Sequence, residues 1–355
     1  MSIAYRPTFQ RTARLVRWLA EASALRSWIL SQTVDVSWLA PARREAMVRS
    51  AHFSTRIEGN PLTLPQVGAL AEGRDVPAEA RAKREILNYF AALRWIWRSS
   101  PPRRLGETSL LLLHRLLVRG VVPAPEAGAY KTRPNAVVQG SRVIYRPPPP
   151  EAAAILTRSL LRWMNSDECR EEHPAVAAAV VHHRMVSIHP FMDGNGRTAR
   201  ALESWLLFRS DFDTHHIFAL DEYFESDRGR YYEKIQDARR RDGDLTRWVE
   251  YVGEGIVETL RKTQRRIQSL QAGRPSGRRM VVSRPQERIL QALSELPGIG
   301  GGELARTLGM SRSHLSKLIQ PLIRGGLIHK EGSTKAARYR PAAPSSTGDA
   351  GYGAI

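Results

Sequence analysis

The sequence predicts an all-α domain broken by one small β-hairpin, joined to a smaller C-terminal domain of helices and a strand pair. Three observations lead there. Apolar residues recur at three- and four-residue spacing over most of 8–270. A single β-prone stretch, AVVQGSRVIY (136–145), precedes a run of four prolines. Beyond the basic segment QAGRPSGRR (271–279), rich in Gly, Pro and Ser, new helices and a strand pair begin.

Residues 8–58 read as helices that stop at Gly59-Asn60-Pro61, a glycine in C-cap position followed by proline. Thr63-Leu64-Pro65-Gln66 resembles a capping box opening the next helix. Helical pattern continues through 82–97 and 108–120. The hairpin lies at 133–146, turning at Gln139-Gly140-Ser141. The proline run ends it, with a polyproline-type ligand as the alternative. Helices resume at 151–165, 174–187 and 196–209, and 223–270 is mostly helical. The domains are placed at 1–105 (helical, with a notable helix at about 45–59) and 106–265, with a basic linker at 266–282. A winged helix-turn-helix at 283–341 and a disordered tail at 342–355 complete the chain.

Net charge is +19. Residues 261–340 hold 17 Lys/Arg against 4 Asp/Glu, an excess of 13, which suggests a polyanion partner. The single cysteine, Cys169, makes no internal disulfide and fits a reducing cytosol. No apolar run approaches a membrane span, and the first residues lack a secretory h-region. The expectation is a soluble, cytoplasmic protein without a membrane partner.

The stretch SIHPFMDGNGRTAR (187–200) carries the chemistry. A very apolar helix delivers His189 to its C-terminal end, where Pro190 forces a turn. Asp193-Gly194-Asn195-Gly196 is turn chemistry whose N–H groups open a new helix, an anion site strengthened by the helix dipole. Arg197 and Arg200, three apart, can aim at one anion. Asp193 supplies the hard oxygen that Mg²⁺ prefers, and His189 titrates near neutrality as a general base. These parts describe nucleotide phosphate transfer. P-loop, H-E-x-x-H and paired C-x-x-C patterns are missing.

HPFMDGNGRTAR resembles the signature H-x-F-x-[DE]-G-N-G-R-x-x-R of the Fic-domain family at every defined position. The likeness extends over roughly 50–260, including RPNAVVQG before the prolines and RYYEKIQ after the motif. It implies an all-α Fic fold whose hairpin is a flap, and a Mg²⁺-dependent protein adenylyltransferase that transfers AMP from ATP. His189 would deprotonate a Ser, Thr or Tyr hydroxyl of a target protein, which attacks the α-phosphate. Asp193 would hold Mg²⁺, the Gly194–Asn195–Gly196–Arg197 turn would bind phosphate oxygens, and Arg200 would contact the γ-phosphate. Phe191 would anchor the loop in the core. The flap edge Val137, Val138, Gln139 and Gly140 would pair with the target as an added strand. Tyr231 and Tyr232 match tyrosines near the adenosine, one expected in the cavity and the other packed elsewhere. Where some relatives carry an asparagine, this chain has Arg239, and the sequence assigns it no role.

STRIEGN (54–60) places Glu58 in the last turn of a helix, where the dipole disfavours an anion by about 0.3–1 kcal/mol. An ordinary exposed glutamate is one reading. STRIEG also matches the family's inhibitory pattern [ST]-x-x-x-E-[GN], whose glutamate pairs with the second motif arginine, here Arg200. A bidentate Glu58–Arg200 pair would occupy the arginine that the γ-phosphate needs, with Ser54 steadying the helix. Glu58 orienting water to remove AMP, a deAMPylase, is the related alternative.

In 283–341 the apolar positions Leu304, Ala305, Leu308, Leu315, Leu318, Ile319 and Leu322 recur at helical spacing, and GLIHKEGSTKAARYR reads as two strands. The pattern resembles a winged helix-turn-helix with a recognition helix at about 311–324, kinked or shortened by Pro321. Arg312, Ser313, His314, Ser316 and Lys317 would face DNA, with Lys330, Lys335 and Arg338 on the wing near phosphates. Protein binding or dimerisation is the alternative. A nucleotide-sensing transcription regulator and a related enzyme with another donor remain as further readings, and a homo-oligomer is open. His182-His183 and His215-His216 are read as packing or surface residues, not as a metal site.

Overall fold

The computed structural model describes residues 5–32, 36–97, 104–212, 216–241, 243–272, 282–332 and 337–342. They fall into two compact units, one holding most of the chain up to Arg274 and the other the C-terminal part.

The first unit begins with α1 (Ala13–Ser31), α2 (Val36–Ile57), α3 (Leu64–Ala71), α4 (Ala80–Ile96) and α5 (Glu107–Val118). The hairpin follows as β1 (Val137–Gln139) and β2 (Arg142–Tyr145), paired antiparallel around Gly140 at φ +59°. Then come α6 (Pro150–Met164), the short α7 (Asp167–Glu171), α8 (Pro174–Ile188), α9 (Asn195–Arg209), α10 (Asp221–Ser226), α11 (Arg228–Arg240) and α12 (Thr246–Ala272). The Thr63–Gln66 capping box forms as expected, the Thr63 N–H bonding to Gln66 Oε1 at 2.9 Å. Short α7 carries too few residues for a periodic signal and was not anticipated. α12 runs to Ala272, past the boundary placed at 265; residues 273–281 and the tail from 343 lie outside the described residues.

α8 is the central helix. Every residue from Ala175 to His183 is buried, so it packs on all sides, against α6, α9 and α12. Pro190 ends it, and the chain returns immediately as α9. This tight α8–α9 corner sets His189 and the turn at 193–196 at the rim of the core.

The second unit orders α13 (Arg284–Glu295), β3 (Ile299–Gly300), α14 (Gly301–Leu308), α15 (Arg312–Arg324), β4 (Ile328–Glu331) and β5 (Arg338–Pro341). Its own core joins Ile289, Leu293, Leu304, Leu308, Leu315, Ile319 and Leu322. The anticipated strand pair is present, with Lys330 opposite Tyr339. Two-residue β3, too short for any alternation, adds to the other side of β5. Pro321 does not end α15, which continues to Arg324. In the last turn its missing N–H forfeits one bond only. Arg312, Ser313, His314, Ser316, Lys317 and Lys330 are exposed. The exposed Arg338 donates to the Gly298 carbonyl at 2.9 Å, and Lys335 lies outside the described residues.

Candidate active site

His189 caps α8 in the left-handed region, φ 51° and ψ 56°, a conformation costing a non-glycine residue on the order of 1–3 kcal/mol. Its own N–H still closes the helix on Met185 O at 3.0 Å. Ring Nδ1 lies 3.2 Å from Val186 O. A carbonyl only accepts, so Nδ1 carries the proton and Nε2 keeps its lone pair. Burial pulls the imidazole pKa down to about 4, helped by the cations Arg239 and Lys131 and opposed by Glu58. His189 is therefore a neutral base at pH 7.

The turn after it is braced from three sides. Phe191 is fully buried and stacks on His114 with centroids 3.7 Å apart. Asn195 is spent on the loop, not on a ligand: its side chain accepts from Phe191 N and donates to Phe191 O, both at 2.9 Å. Asn135 also donates to Phe191 O, at 2.8 Å. His114 Nδ1 accepts from Gly128 N, which leaves Nε2–H to donate to Asp193 O at 3.0 Å. Burial lowers the His114 pKa to about 4, keeping that tautomer fixed. His114 and Lys131 carried no signal in the sequence, and Asn135 was quoted only within RPNAVVQG without a role, because only the fold brings them to the loop.

Gly194 begins α9 at φ +77°, and a Cβ there would lie 2.5 Å from Val118 Cγ1. Strain and overlap act together, so Gly194→Ala is expected to cost about 2–4 kcal/mol of stability. The measurement is a denaturant midpoint; an unchanged midpoint would contradict this geometry. Asp193 is 46% exposed at its side chain, with Arg197 Nη2 at 3.3 Å. A protein-held cage is absent, since no group of three or more His, Cys, Asp or Glu could hold a metal among the described residues. One accessible carboxylate beside an anion cradle fits Mg²⁺, which takes its remaining ligands from phosphates and water.

The two arginines do not converge. Arg197 points to Asp193 and, through Nη1 at 3.5 Å, to Glu85. Arg200 is buried, donating from Nε to Ser54 Oγ at 2.7 Å and from Nη2 to Ser54 O at 2.8 Å. Its Nη2 meets Glu58 Oε1 at 2.7 Å, a single contact and not the bidentate pair expected. The reason is that Ser54 already takes Nε and shares Nη2. Ser54 thus holds Arg200 rather than steadying its own helix. Asp221 Oδ1, 3.6 Å from Arg200 Nε and held by Ser50 and Tyr89, is a buried counter-charge the sequence did not reveal.

α2 ends at Ile57, and Glu58 sits in the turn made by Gly59 at φ +96°, with Asn60 N returning to Thr55 O. Its carboxylate covers the first turn of α9: a Cβ on Gly196 would overlap Glu58 Oε1.

Beside these groups opens a cavity of about 620 Å³, bordered by Glu58, His189, Gly196, Arg200 and the flap residues Val137, Val138 and Gly140. Asp193 and Arg197 do not line it. Val138 is 60% exposed, and β1 has no partner on its outer edge among the described residues; the Gln139 side chain is outside the described set. Tyr231 and Tyr232 both line the cavity, contrary to expectation. The reason is its breadth along α11, where 228, 231, 232, 235 and 239 form one stripe wide enough for adjacent residues. Tyr231 OH accepts from Arg200 Nη1 at 3.3 Å; Tyr232 OH donates to Ile57 O at 3.2 Å.

His182 belongs to a buried chain behind Arg200, as a packing residue. Its Nε2 is 2.9 Å from Tyr231 OH and its Nδ1 2.8 Å from Glu203. Burial lowers His182 to about 3 and raises Glu203 well above its ordinary value, both toward the neutral form. His183 is buried too, and His216 stacks on Trp97; His215 lies outside the described residues. Arg239 turns out to hold the end of α8, donating to Val186 O at 2.7 Å and Ser187 Oγ at 3.2 Å with its guanidinium 3.6 Å over Tyr145.

Residues 104–207 match the family model described as Fic/DOC family. The chain is 32% identical to the Protein adenylyltransferase Fic of Drosophila persimilis over 261 residues, 71% of this chain and 48% of that protein. It thus spans about half the length of the curated relatives it matches. Among solved structures, a Fic family protein from Desulfovibrio desulfuricans G20 superposes with a TM-score of 0.65 at 24% identity, over 97% of this chain and 100% of that one. Fic-1 from C. elegans gives 0.62 at 26%, over 74% of each chain. Both share the mostly helical fold with its small two-stranded sheet.

Proposed function

Since residues 104–207 form a Fic/DOC-family domain, we propose that the chain is a protein adenylyltransferase held in check by Glu58. The observation that carries this is the free lone pair of His189 Nε2 at a cavity that also meets the α9 N-terminus and Arg200. In the reaction, a target hydroxyl oxygen bonds to the α-phosphorus of ATP. The bond from that phosphorus to the bridging oxygen breaks, pyrophosphate leaves, and the hydroxyl proton passes to Nε2. Asp193 would hold Mg²⁺, which neutralises phosphate charge. Tyr231 and Tyr232 border the space for the nucleoside, and the open edge of β1 suits an added strand from the target.

The test supplies ATP labelled on the α- or γ-phosphate to the full chain. Label on protein from α alone is the expected result; label from γ means a kinase and overturns the reading. Removal of AMP from a modified target is the reverse use of the same site, favoured only if purified protein strips label it never adds.

For the second unit we propose nucleic-acid binding through the exposed start of α15. Affinity for duplex DNA is expected to fall by about 10²-fold or more between 50 and 200 mM salt. No retention on DNA at low salt, measured on the full chain, refutes it.

A further inference from the structure

Arg239 lines a second cavity as well, of about 430 Å³, between the segment Tyr5–Thr8 and the C-terminal half of α8. Three arginines, Arg6, Arg184 and Arg239, border it, and among the described residues no carboxylate does. Arg184 is half-buried with its guanidinium 4.7 Å over the Tyr5 ring, and its Nε is buried with no acceptor. Arg239 gives its hydrogen bonds to neutral oxygens only, Val186 O and Ser187 Oγ, and burial draws its pKa down to about 10. Elsewhere in this unit the half-buried Arg49 and Arg230 meet the acids Glu222 and Glu254, while Arg209 bonds to Asn165 Oδ1 and the Met164 carbonyl and faces no such open space. A desolvated cation without a counter-ion is costly, and two facing one space mark a place prepared for an anion.

We propose that this cavity is a second anion site, separate from the nucleotide site, that takes a small phosphate-bearing molecule. Guanidinium donors around a space lined by the hydroxyl residues Thr8 and Ser187 suit the several acceptor oxygens of a phosphate, and the volume far exceeds a lone carboxylate. The remaining wall is aromatic or neutral, since burial keeps His183 uncharged at a pKa of about 3.

The probe is inorganic phosphate, titrated calorimetrically into the full chain, with ATP titrated separately. Arg184→Gln and the exposed Arg6→Gln are expected each to weaken phosphate binding about tenfold, as loss of a charged hydrogen bond does, while ATP affinity stays unchanged. Because transfer activity is not the readout, failure here leaves the catalytic proposal standing. Three results overturn the inference. They are phosphate affinity unaltered in both variants, parallel loss of ATP affinity, and binding of an acidic peptide but not of phosphate.

Discussion

Glu58→Gly is expected to raise AMP transfer by about 10²-fold or more, the scale at which small misplacements of a reacting group act. The Glu58 carboxylate holds Arg200 Nη2 at 2.7 Å and sits over Gly196 at the start of α9. Those N–H groups and that arginine are what a phosphate chain would use, so carboxylate and phosphate compete for one positive region. On the proposed reading, ATP entering beside it would have its terminal phosphate displaced and its α-phosphate turned away from the in-line direction. Removing a partner from a buried ion pair usually costs 3–5 kcal/mol, roughly, because a bare charge remains. Here Arg200 keeps Asp221 at 3.6 Å and both Ser54 oxygens, so the variant should fold normally. The measurement is the initial rate of α-label incorporation alongside the melting temperature. Equal rates in both forms would end the autoinhibition reading, and Glu58→Gln should fall between them, since it keeps the bulk but drops the charge.

His189→Ala in the Glu58→Gly background is expected to lower transfer by about 10²–10⁴-fold, the contribution of a positioned general base, with ATP affinity retained. The pH profile gives a second handle. Arg239 and Lys131 oppose a proton on His189 and Glu58 favours one, while burial dominates and places the pKa near 4. A base is active when neutral, so activity present at pH 7 persists as pH falls and is lost only as pH drops through the folded pKa. The free-enzyme profile, kcat/KM, should therefore be flat from about pH 6 to 8 with its acid limb below about 5. An acid limb near the ordinary histidine value would show that His189 works in water rather than in this buried setting.

Much of the site was legible because its signals are local. HPFMDGNGRTAR compresses base, turn and anion cradle into a dozen residues, and the Gly59 stop after STRIE could be read from spacing and capping alone. The helical texture, the lone hairpin and the separate C-terminal core followed from apolar periodicity for the same reason.

What the sequence determined by itself was the inventory: a histidine at a helix end, an acid and two arginines around a glycine turn, and a glutamate at another helix end. Apart from the Glu58–Arg200 contact that the motif's resemblance implied, which groups meet was decided by the fold. Asp221 reaches Arg200 from 21 residues away, Ser54 from 146, and Arg239 lies 50 residues beyond the histidine whose helix end it holds. Hydrogen-bond capacity settled the rest. Ser54 claims one nitrogen of Arg200 and shares another, so Glu58 gets a single contact; Asn195 serves the loop and leaves the ligand to others. Such competition among partners has no periodicity and no spacing, because it exists only once distant segments share one buried volume.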